Sequence, residues 1–298
     1  MSSSVLVTGA TGRLGQLVTR RLIYSGDRVR VLTRRPDEAR RLWGDAVDIA
    51  QGDFQDRSSL MTALNGIDRF FLLSPINENL AAHQIALINA AADAGVRHIV
   101  KISGSIWTIE NSARSRAGAQ HRQVEAHLVE RGLSHAVIRP NAWMQVSLAP
   151  VIAAALAGND LPARYAGAAV SFIDISDIAD VAARTLHAGL NVSEPLVLTG
   201  AKAFTSSDIA GLVSAILRRP VGIDPQAVAL SPGHDDAFAA QAVREFGALI
   251  AEGLAAPVTD TVERVLGRKP VSLRRFLEQQ LVPAKRQPEQ AEGDIQWQ

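Results

Sequence analysis

The chain opens with the run Val5-Leu6-Val7-Thr8-Gly9-Ala10-Thr11-Gly12-Arg13-Leu14-Gly15, and its pattern sets the class of fold. Three apolar, β-type residues come first, and beyond the glycines apolar residues recur at helical spacing, at Leu14, Val18 and Leu22. A strand that enters a glycine turn and opens a helix is typical of a phosphate cradle, because the helix N-terminus offers free N–H groups and a positive dipole end to an anion. The pattern therefore predicts a dinucleotide site at residues 9–15.

Each glycine of this turn has a predicted steric role. Gly9 takes the tight turn, Gly12 lets the backbone approach a pyrophosphate, and Gly15 lets the helix lie close on the sheet. The spacing Gly-x-x-Gly-x-x-Gly is one residue longer at the front than the commonest dinucleotide pattern, and glycine turns also occur for purely steric reasons. The place of this turn between a strand and a helix is what favours a cofactor.

Composition excludes several classes of function. The 298 residues are 47% apolar and 20% charged, which is ordinary for a globular protein of one large or two modest domains. A formal net charge of +1 argues against a general nucleic-acid or membrane partner. Without cysteine there are no disulfides or thiolate metal sites, and we expect no metal. The N-terminus runs into the first strand without the pattern of a secretory signal, which predicts a cytoplasmic location.

The residues after the second predicted strand, Arg28–Thr33, indicate which dinucleotide binds. An NAD site usually places Asp or Glu about 20 residues beyond the glycines. Here that place holds Arg34 and Arg35, whose guanidiniums suit a 2′-phosphate. The alternative is a solvated basic start to the helix at Pro36, but cations are unfavourable at a helix N-terminus unless an anion binds there. We therefore expect NADP(H) rather than NAD(H).

Short apolar strands then alternate with helices, which predicts a Rossmann-type α/β fold with a doubly wound parallel sheet covered on both faces. We expect a cofactor domain at 1–150 to which segments near 170–200 return, a smaller α/β substrate domain mainly at 151–282, and a disordered tail at 283–298. The further predicted strands are 47–50, 69–73, 98–102 and 136–139, and the predicted helices include 79–95, 114–131, 178–186, 206–217 and 235–254.

Ligand groups should cluster beyond the carboxyl ends of these strands, because parallel strands end at one edge of the sheet. Asp53 can accept a hydrogen bond from the adenine amino group and Phe54 can stack beside its ring; a turn in which Asp53 caps the helix near Ser58 is the alternative. The residues predicted to contact the cofactor are Gly9, Thr11, Gly12, Arg13, Leu14, Gly15, Arg34, Asp53, Phe54, Leu73, Ser74, Pro75, Ser103, Pro140 and Asn141.

Several motifs together resemble a known family. They are Val7–Gly15, Thr33-Arg34, Gly52-Asp53-Phe54, Gly95-Val96-x-His98-Ile99-Val100, His121-x-x-x-Glu125, Ile138-Arg139-Pro140-Asn141 and Phe172–Ala179. The chain resembles the NmrA-like group of atypical short-chain dehydrogenases/reductases, near quinone oxidoreductase type 2 and triphenylmethane reductase. The resemblance covers roughly residues 4–200, and more loosely the chain to Leu281. It implies a Rossmann domain with a small C-terminal substrate domain, NADP(H), and either reductase activity or redox sensing without turnover.

The catalytic dyad of the wider superfamily, Tyr-x-x-x-Lys on one helix, is absent. The only tyrosines are Tyr24 and Tyr165, and neither has a lysine four residues later. Ala117 and His121 stand where the dyad would lie. The sequence therefore argues against an epimerase or alcohol dehydrogenase that depends on this pair.

Two polar residues are the candidates for chemistry. His121 either lines the nicotinamide ribose and donates a hydrogen bond, or only satisfies a backbone carbonyl. Ser105 falls where the superfamily places an active-site hydroxyl, and its alternative is a cap on the following segment. Asp174 and Asp177 look like a carboxylate pair, but a helix N-cap explains them more simply.

An apolar wall over the nicotinamide is predicted from Trp107, Trp143, Met144 and Phe172, with Tyr165 nearby; the alternative, that they are core of the small domain, must hold for some of them. Such a wall suits a flat, apolar small molecule. The uncharged run 142–158 contains polar residues and proline, so we expect a buried or interface helix rather than a membrane span.

Two functions remain open from the sequence. The first is an NADPH-dependent reductase of a quinone or similar conjugated acceptor, whose reduced product is an anion that water can protonate. The second is a redox sensor that binds NADP(H) and acts through a protein partner. A homodimer is left open.

Overall fold

A computed structural model describes residues 3–227 and 237–282. Its strands are β1 (Ser4–Thr8), β2 (Arg28–Thr33), β3 (Asp48–Gln51), β4 (Arg69–Leu72), β5 (His98–Ile102), β6 (His135–Pro140), β7 (Leu161–Pro162), β8 (Leu196–Leu198) and β9 (Ile223–Asp224). Seven of them form a sheet in the order β3-β2-β1-β4-β5-β6-β8, in which every pair is parallel. The winding reverses between β1 and β4, as in doubly wound dinucleotide-binding sheets. The predicted α/β fold is confirmed.

Most predicted strands lie within a residue or two of those observed, because apolar runs bounded by polar turns mark a buried parallel strand clearly. One detail differs. Pro140 is the last residue of β6 and pairs with Leu198 of β8, rather than stopping the strand before it. A proline is tolerated there because the strand ends at this residue.

Helices cover both faces of the sheet. They are α1 (Arg13–Tyr24), α2 (Pro36–Trp43), α3 (Arg57–Leu64), α4 (Leu80–Asp93), α5 (Ile106–Glu110), α6 (Arg116–Glu130), α7 (Met144–Ser147), α8 (Ala149–Leu156), α9 (Ile175–Ala188), α10 (Ser206–Leu217), α11 (Ala237–Ala251), α12 (Thr261–Leu266) and α13 (Leu273–Leu281). Alternate residues of β1 serve opposite faces: Val5 and Val7 pack with α1 and α9, whereas Leu6 packs with α3 and α4. The sheet is therefore buried on both sides.

A second core lies beyond the sheet, around the short parallel pair β7–β9 and helices α8, α10 and α13. This core also contains Trp107, Met144 and Leu148, which precede residue 150. The boundary at 150 stays a prediction, and the second core draws on chain from both sides of it. The predicted tail 283–298 and the first two residues of the predicted helix 235–254 lie outside the described residues.

The uncharged run 142–158 is divided between α7 and α8, which meet at Leu148. Leu148 is 1% exposed and packs in the second core. Among the described residues no helix has the length and apolar character needed to cross a membrane.

The two carboxylates near the start of α9 have structural roles. Asp174 is the N-cap and accepts from the Ser176 backbone N–H at 2.7 Å, which confirms the capping interpretation. Asp177 is fully buried, where it pairs with Arg268 at 2.7 Å and accepts from the Val271 backbone N–H. Burial raises the pKa of Asp177. These bonds hold residues 268–271 against α9.

Candidate functional site

The glycine turn has the geometry of a phosphate cradle. Gly9 has φ +68°, which a side chain would strain, and its carbonyl accepts from the Gly12 N–H at 2.9 Å. This bond closes the turn, and α1 begins at the next residue, Arg13. A β-carbon on Gly12 would meet only the Gly9 carbonyl oxygen, at 3.3 Å, so the outer side of the turn is open.

Gly15 is required for close packing. The sequence predicted that it packs on the sheet, but its contacts are with the backbone of Gly9 and Ala10. A β-carbon there would lie 2.0 Å from the Gly9 carbonyl oxygen and 2.9 Å from the Ala10 Cα. The helix therefore packs on the backbone of its own turn rather than directly on the sheet. Any side chain at this position would push the turn out of shape.

The first turn of α1 supplies hydrogen-bond donors for an anion. Within the described residues the N–H groups of Arg13, Leu14 and Gly15 have no backbone acceptor, and Gln16 is the first to donate back, to Gly12. The Leu14 side chain is 2% exposed and belongs to the core, so only its backbone can reach a ligand. Free N–H groups at a helix N-terminus suit the pyrophosphate of a dinucleotide.

Arg34 is free to bind a second anion. It is exposed and has no ion pair or hydrogen bond within the described part of the chain, whereas Arg35 pairs with Glu38 at 2.9 Å. Both line an open cleft of about 690 Å³ that also includes Gln16 and Arg41. This cleft lies at the carboxyl end of β2, where the predicted 2′-phosphate would lie. The residues therefore fit NADP(H), with Arg34 as an available guanidinium at the end of β2.

Asp53 and Phe54 follow β3 at the same edge. The alternative in which Asp53 caps the next helix is wrong, since Asp56 is the N-cap and accepts from the Ser58 N–H. Asp53 instead accepts from the Gln55 N–H at 2.9 Å. Phe54 lies 5.6 Å from the ring of His83. Their contact with adenine stays a prediction.

The loop after β4 is held against β1. The Thr8 hydroxyl donates to the Leu73 carbonyl at 2.7 Å and accepts from the Leu73 N–H at 2.9 Å. Ser74 Oγ accepts from Gln84, and Pro75 is exposed. The predicted residues 73–75 thus flank the glycine turn at the point where the winding reverses.

A buried polar cluster lies beneath the end of β5. We call it the Lys101 cluster; it consists of Lys101, Ser103, His121, Glu125 and Arg139. Lys101 Nζ is 3.0 Å from Ser103 Oγ, 3.0 Å from His121 Nδ1 and 3.2 Å from the Ile102 carbonyl oxygen. Ser103 in turn donates to Glu125, which forms an ion pair with Arg139. The Ser103 hydroxyl is therefore used inside the protein, and its contact with the cofactor stays a prediction.

Burial controls the charges in this cluster. Burial is the largest cause that lowers the pKa of Lys101 to about 7; the charge of Glu125 opposes this shift, and that of Arg139 adds to it. Burial, and secondarily the charge of Lys101, lowers the pKa of His121 well below its usual range. His121 is therefore neutral at neutral pH.

His121 lies beneath the loop that follows β5. A β-carbon on Gly104 would be 3.0 Å from its Cδ2. Its Nε2 has no hydrogen-bond partner among the described residues and, unlike Nε2 of His98, is not sealed from solvent. The neighbouring Ser105 is the N-cap residue of α5, but its hydroxyl donates to the Pro140 carbonyl at 2.7 Å and makes no capping bond to the helix. Ser105 follows β5, and His121 lies beneath the same loop; their chemical roles stay predictions.

The side chain of Asn141 is occupied by the protein. It accepts from Trp107 Nε1 at 2.7 Å and donates to Ser171 and to the Ala255 carbonyl. Both Asn141 and Trp107 are 5% exposed. Any contact between Asn141 and the cofactor therefore falls to its backbone.

The expected aromatic wall is mostly core. Trp107, Met144 and Phe172 are at most 5% exposed and pack in the second core, which is the alternative given for some of them above. Trp143 is half-buried against the sheet's core, and Tyr165 lines a small cavity. Of the residues predicted to form the wall, Trp143 alone stays a predicted substrate contact. Apolar residues after strands look alike in sequence whether they face a ligand or a core.

Three members of the Lys101 cluster, Lys101, Glu125 and Arg139, were not predicted as site residues. A signal existed. A lysine inside the apolar strand His98–Ile102, which parallel packing buries on both faces, requires polar partners. His121 and Glu125, four apart on one helix, lie on the face that supplies them.

The comparisons with known proteins fit this geometry. The model of the NmrA-like family matches residues 1–224. The chain is 33% identical to the (4-alkanoyl-5-oxo-2,5-dihydrofuran-3-yl)methyl phosphate reductase of Streptomyces griseus, over 89% of this chain and 93% of that protein. It is 29% identical to the NAD(P)H azoreductase of Xenophilus azovorans, over 91% and 96% of the two chains.

A solved structure shares the fold. The NADPH-dependent quinone oxidoreductase QOR2 of Escherichia coli, in complex with NADPH, has a TM-score of 0.80 at 22% identity, covering 92% of this chain and 98% of its own. The family match extends over three quarters of the sequence, and its residues include the glycine turn, Arg34 and the Lys101 cluster. The chain belongs to the NmrA-like family.

Proposed function

We propose that this protein is an NADPH-dependent reductase that transfers hydride to a quinone or a similar conjugated small molecule. The coarser statement, that it is an NAD(P)H-dependent oxidoreductase, follows from its family and from relatives named as reductases at 33% and 29% identity. When bound, the nicotinamide supplies the hydride. The residues of this chain hold the cofactor and orient the acceptor.

One observation carries the proposal: the anion cradle at residues 9–15 lies along the same edge of the sheet as Arg34, which has no ion pair within residues 3–227 and 237–282. The cradle suits the pyrophosphate, and Arg34 suits the 2′-phosphate that distinguishes NADPH from NADH. Arg35 is a weaker candidate because Glu38 already pairs with it.

The positions of the tyrosines support an acceptor that needs no strong acid. Tyr24 is 82% exposed at the end of α1, and Tyr165 lies in the second core region, where its hydroxyl accepts from Arg164. Neither lies on α6, where the superfamily's acid would be. Hydride addition to a quinone gives a delocalised anion, so holding the two reactants in register provides most of the acceleration.

The test is steady-state consumption of NADPH, followed by its near-ultraviolet absorbance, with benzoquinone, naphthoquinone and menadione as acceptors. We expect turnover with at least one quinone, and faster turnover with NADPH than with NADH. Protein that binds NADPH but consumes none with any acceptor would overturn the proposal in favour of a redox sensor.

A second class of substrate, an acceptor with an acidic group, is favoured by Arg164. Its guanidinium stacks on the Tyr165 ring at 4.8 Å and lines a cavity of about 10 Å³ whose walls are mostly apolar, including Phe172 and Phe204. The residue is half-buried, and its Nε and Nη1 are buried without a hydrogen-bond partner among the described residues. Buried donors without an acceptor are costly, so an acidic substituent that accepts from them would offset that cost. The Streptomyces relative is named for a substrate that carries a phosphate.

This refinement is tested with naphthoquinone and its 2-sulfonate. Arg164→Met should raise KM for the sulfonate about tenfold, the loss of roughly one charge-assisted hydrogen bond, and leave the neutral quinone unchanged. Arg184→Met, on the exposed side of α9, is the matched control and should change neither. Equal effects of Arg164→Met on the two quinones would argue against an acid site.

A further inference from the structure

Lys101 is the most unusual residue of the sheet. Its side chain is completely buried, and it occupies the same face of β5 as Ile99 and Ser103, against α6. A buried ammonium must have all of its protons accepted. Lys101 Nζ has three acceptors within reach: the Ile102 carbonyl, Ser103 Oγ and His121 Nδ1.

The third of these bonds fixes the chemistry of His121. An ammonium can only donate, so His121 Nδ1 must accept and cannot carry a proton. The neutral ring therefore carries its proton on Nε2, the nitrogen for which the described residues provide no partner. That nitrogen lies beside Cδ2, the atom closest to Gly104 at the carboxyl edge of the sheet.

We propose that Lys101 holds His121 in the tautomer protonated on Nε2 and resupplies that proton through Nδ1, so that His121 protonates the reduced acceptor. The inference rests on the proposed reductase function. In this scheme His121 is the catalytic residue of the pair, because its Nε2 is the atom that would contact the acceptor. Lys101 acts through it as a positioning residue.

The transfers balance. Bound NADPH would supply the hydride, and the proton that completes the reduction of the acceptor comes from His121 Nε2. Nδ1 of the same ring takes a proton from the Lys101 ammonium, which becomes a neutral amine, and the ring returns to a neutral state. After the product leaves, a proton from solvent reaches Nε2, and Nδ1 returns its proton to Lys101.

The surroundings of Lys101 allow it to give up a proton. From α6 it is faced by His121 and Glu125, and from β6 by Arg139; on β4 its paired residue is Leu72, which does not titrate. Arg139 is already paired with Glu125, so the carboxylate charge is largely balanced without Lys101. A lysine in this setting changes charge near neutral pH, as its lowered pKa of about 7 also indicates.

The first test needs no cofactor and no turnover. In protein labelled with ¹⁵N-histidine, NMR should show His121 with an unprotonated Nδ1 and a protonated Nε2 below about pH 7. Lys101→Met should abolish this preference, because the ammonium donor is lost, while leaving His98 unchanged. His98 is the internal control: it is also buried, but its Nδ1 contacts Ser134. A His121 tautomer that Lys101→Met does not alter would overturn the inference.

The second test is kinetic. Quinone reduction by the native protein should decline above about pH 7, as Lys101 loses its proton, and Lys101→Met should be at least tenfold slower with that decline removed. Lys101→Met combined with His121→Asn should be no slower than His121→Asn alone, since the two act as one unit. Additive losses would overturn the relay. Lys202→Met, at an exposed lysine, is the matched control and should match the native protein.

The outcomes separate this inference from the proposed function. If the native protein reduces no quinone, the reductase proposal fails, yet the NMR result still decides whether Lys101 sets the tautomer. If the native protein reduces quinones and Lys101→Met has the native rate and pH profile, the relay fails and the reductase proposal stands.

Discussion

The glycine turn and the Lys101 cluster lie at the same edge of the sheet, but they are built in opposite ways. The turn uses backbone: φ +68° at Gly9, a 2.9 Å bond between Gly12 and Gly9, and free N–H groups at the start of α1. The cluster uses side chains from β5, α6 and β6, at residues 101–139. The turn is open to a ligand, whereas Lys101, Ser103 and His121 of the cluster are buried and Glu125 and Arg139 are only partly exposed.

The difference separates two tasks. A cradle of backbone donors binds any ligand with the right phosphate spacing and is lost when the backbone is obstructed. A cluster of side chains sets protonation, and its effects change with pH. Substitutions in the turn should therefore affect binding, and substitutions in the cluster should affect turnover and pH dependence.

The largest effect is expected for Gly12→Val. The new side chain would stand on the open side of the turn, where the structure shows only the Gly9 carbonyl, and would obstruct the pyrophosphate. NADPH affinity, measured by calorimetry, should fall by more than about 100-fold while cooperative unfolding is retained. Gly211→Val is the matched control, because a β-carbon there meets nothing within 4 Å. Normal binding by Gly12→Val would place the site elsewhere.

A smaller effect is expected for the polar residues near the acceptor. Ser105→Ala and His121→Ala should each lower quinone reduction by roughly 10- to 100-fold, since each removes about one hydrogen bond in the transition state. NADPH affinity should be unchanged. Loss of more than about ten-thousand-fold in either variant, with NADPH still bound, would indicate a dedicated acid.

Trp143 gives a comparison on the apolar side. As the half-buried member of the expected wall, it should contribute to orientation, so Trp143→Ala should slow reduction at least as much as Ser105→Ala. Trp107→Phe, which keeps an aromatic ring in the second core, should affect the free energy of unfolding more than turnover. If Trp143→Ala reduced quinones at the native rate, the prediction of an apolar wall that orients the acceptor would be wrong.

The smallest effect concerns stability. Between the native pKa of about 7 and the ordinary lysine pKa of 10.5, the unfolded chain binds more protons at Lys101 than the folded chain does, so native stability should rise with pH in this window. Relative to Lys101→Met, the native free energy of unfolding should increase by on the order of 2 kcal/mol between about pH 7 and pH 9, measured by urea denaturation. Lys202→Met should show no such dependence. A constant difference at both pH values would mean that Lys101 titrates normally.

The same contrast explains what the sequence could predict. The turn depends on residues that are close in the chain, so its glycines, its strand and its helix could all be predicted from local pattern. The role of Arg34 could be predicted from its distance along the chain to the glycines. The Lys101 cluster depends on the pairing of β5 with β6 and on the face of α6, and it joins residues up to 38 apart, between positions 101 and 139. Local pattern carries little of that information.

The large apolar residues show a second limit of prediction from sequence: the pattern does not tell a residue that faces a ligand from one that lies in a core. Trp107 and Trp143 follow strands in similar contexts, yet Trp107 donates to Asn141 inside the second core and Trp143 remains half-buried. Which one faces a ligand depends on how α11 and α13 cover the second core. That packing joins helices that are distant in the chain, and the spacing of apolar residues in the sequence does not predict it.

The central claim is that the open cradle and Arg34 together bind NADPH, and calorimetric titration with NADPH and NADH tests it most directly. The native protein should bind NADPH about 30-fold more tightly, corresponding to on the order of 2 kcal/mol for a charge-assisted bond to the 2′-phosphate. Arg34→Ala should erase most of that difference, whereas Arg35→Ala, at the residue already paired with Glu38, should erase less. Equal affinity of the native protein for the two nucleotides would contradict the account.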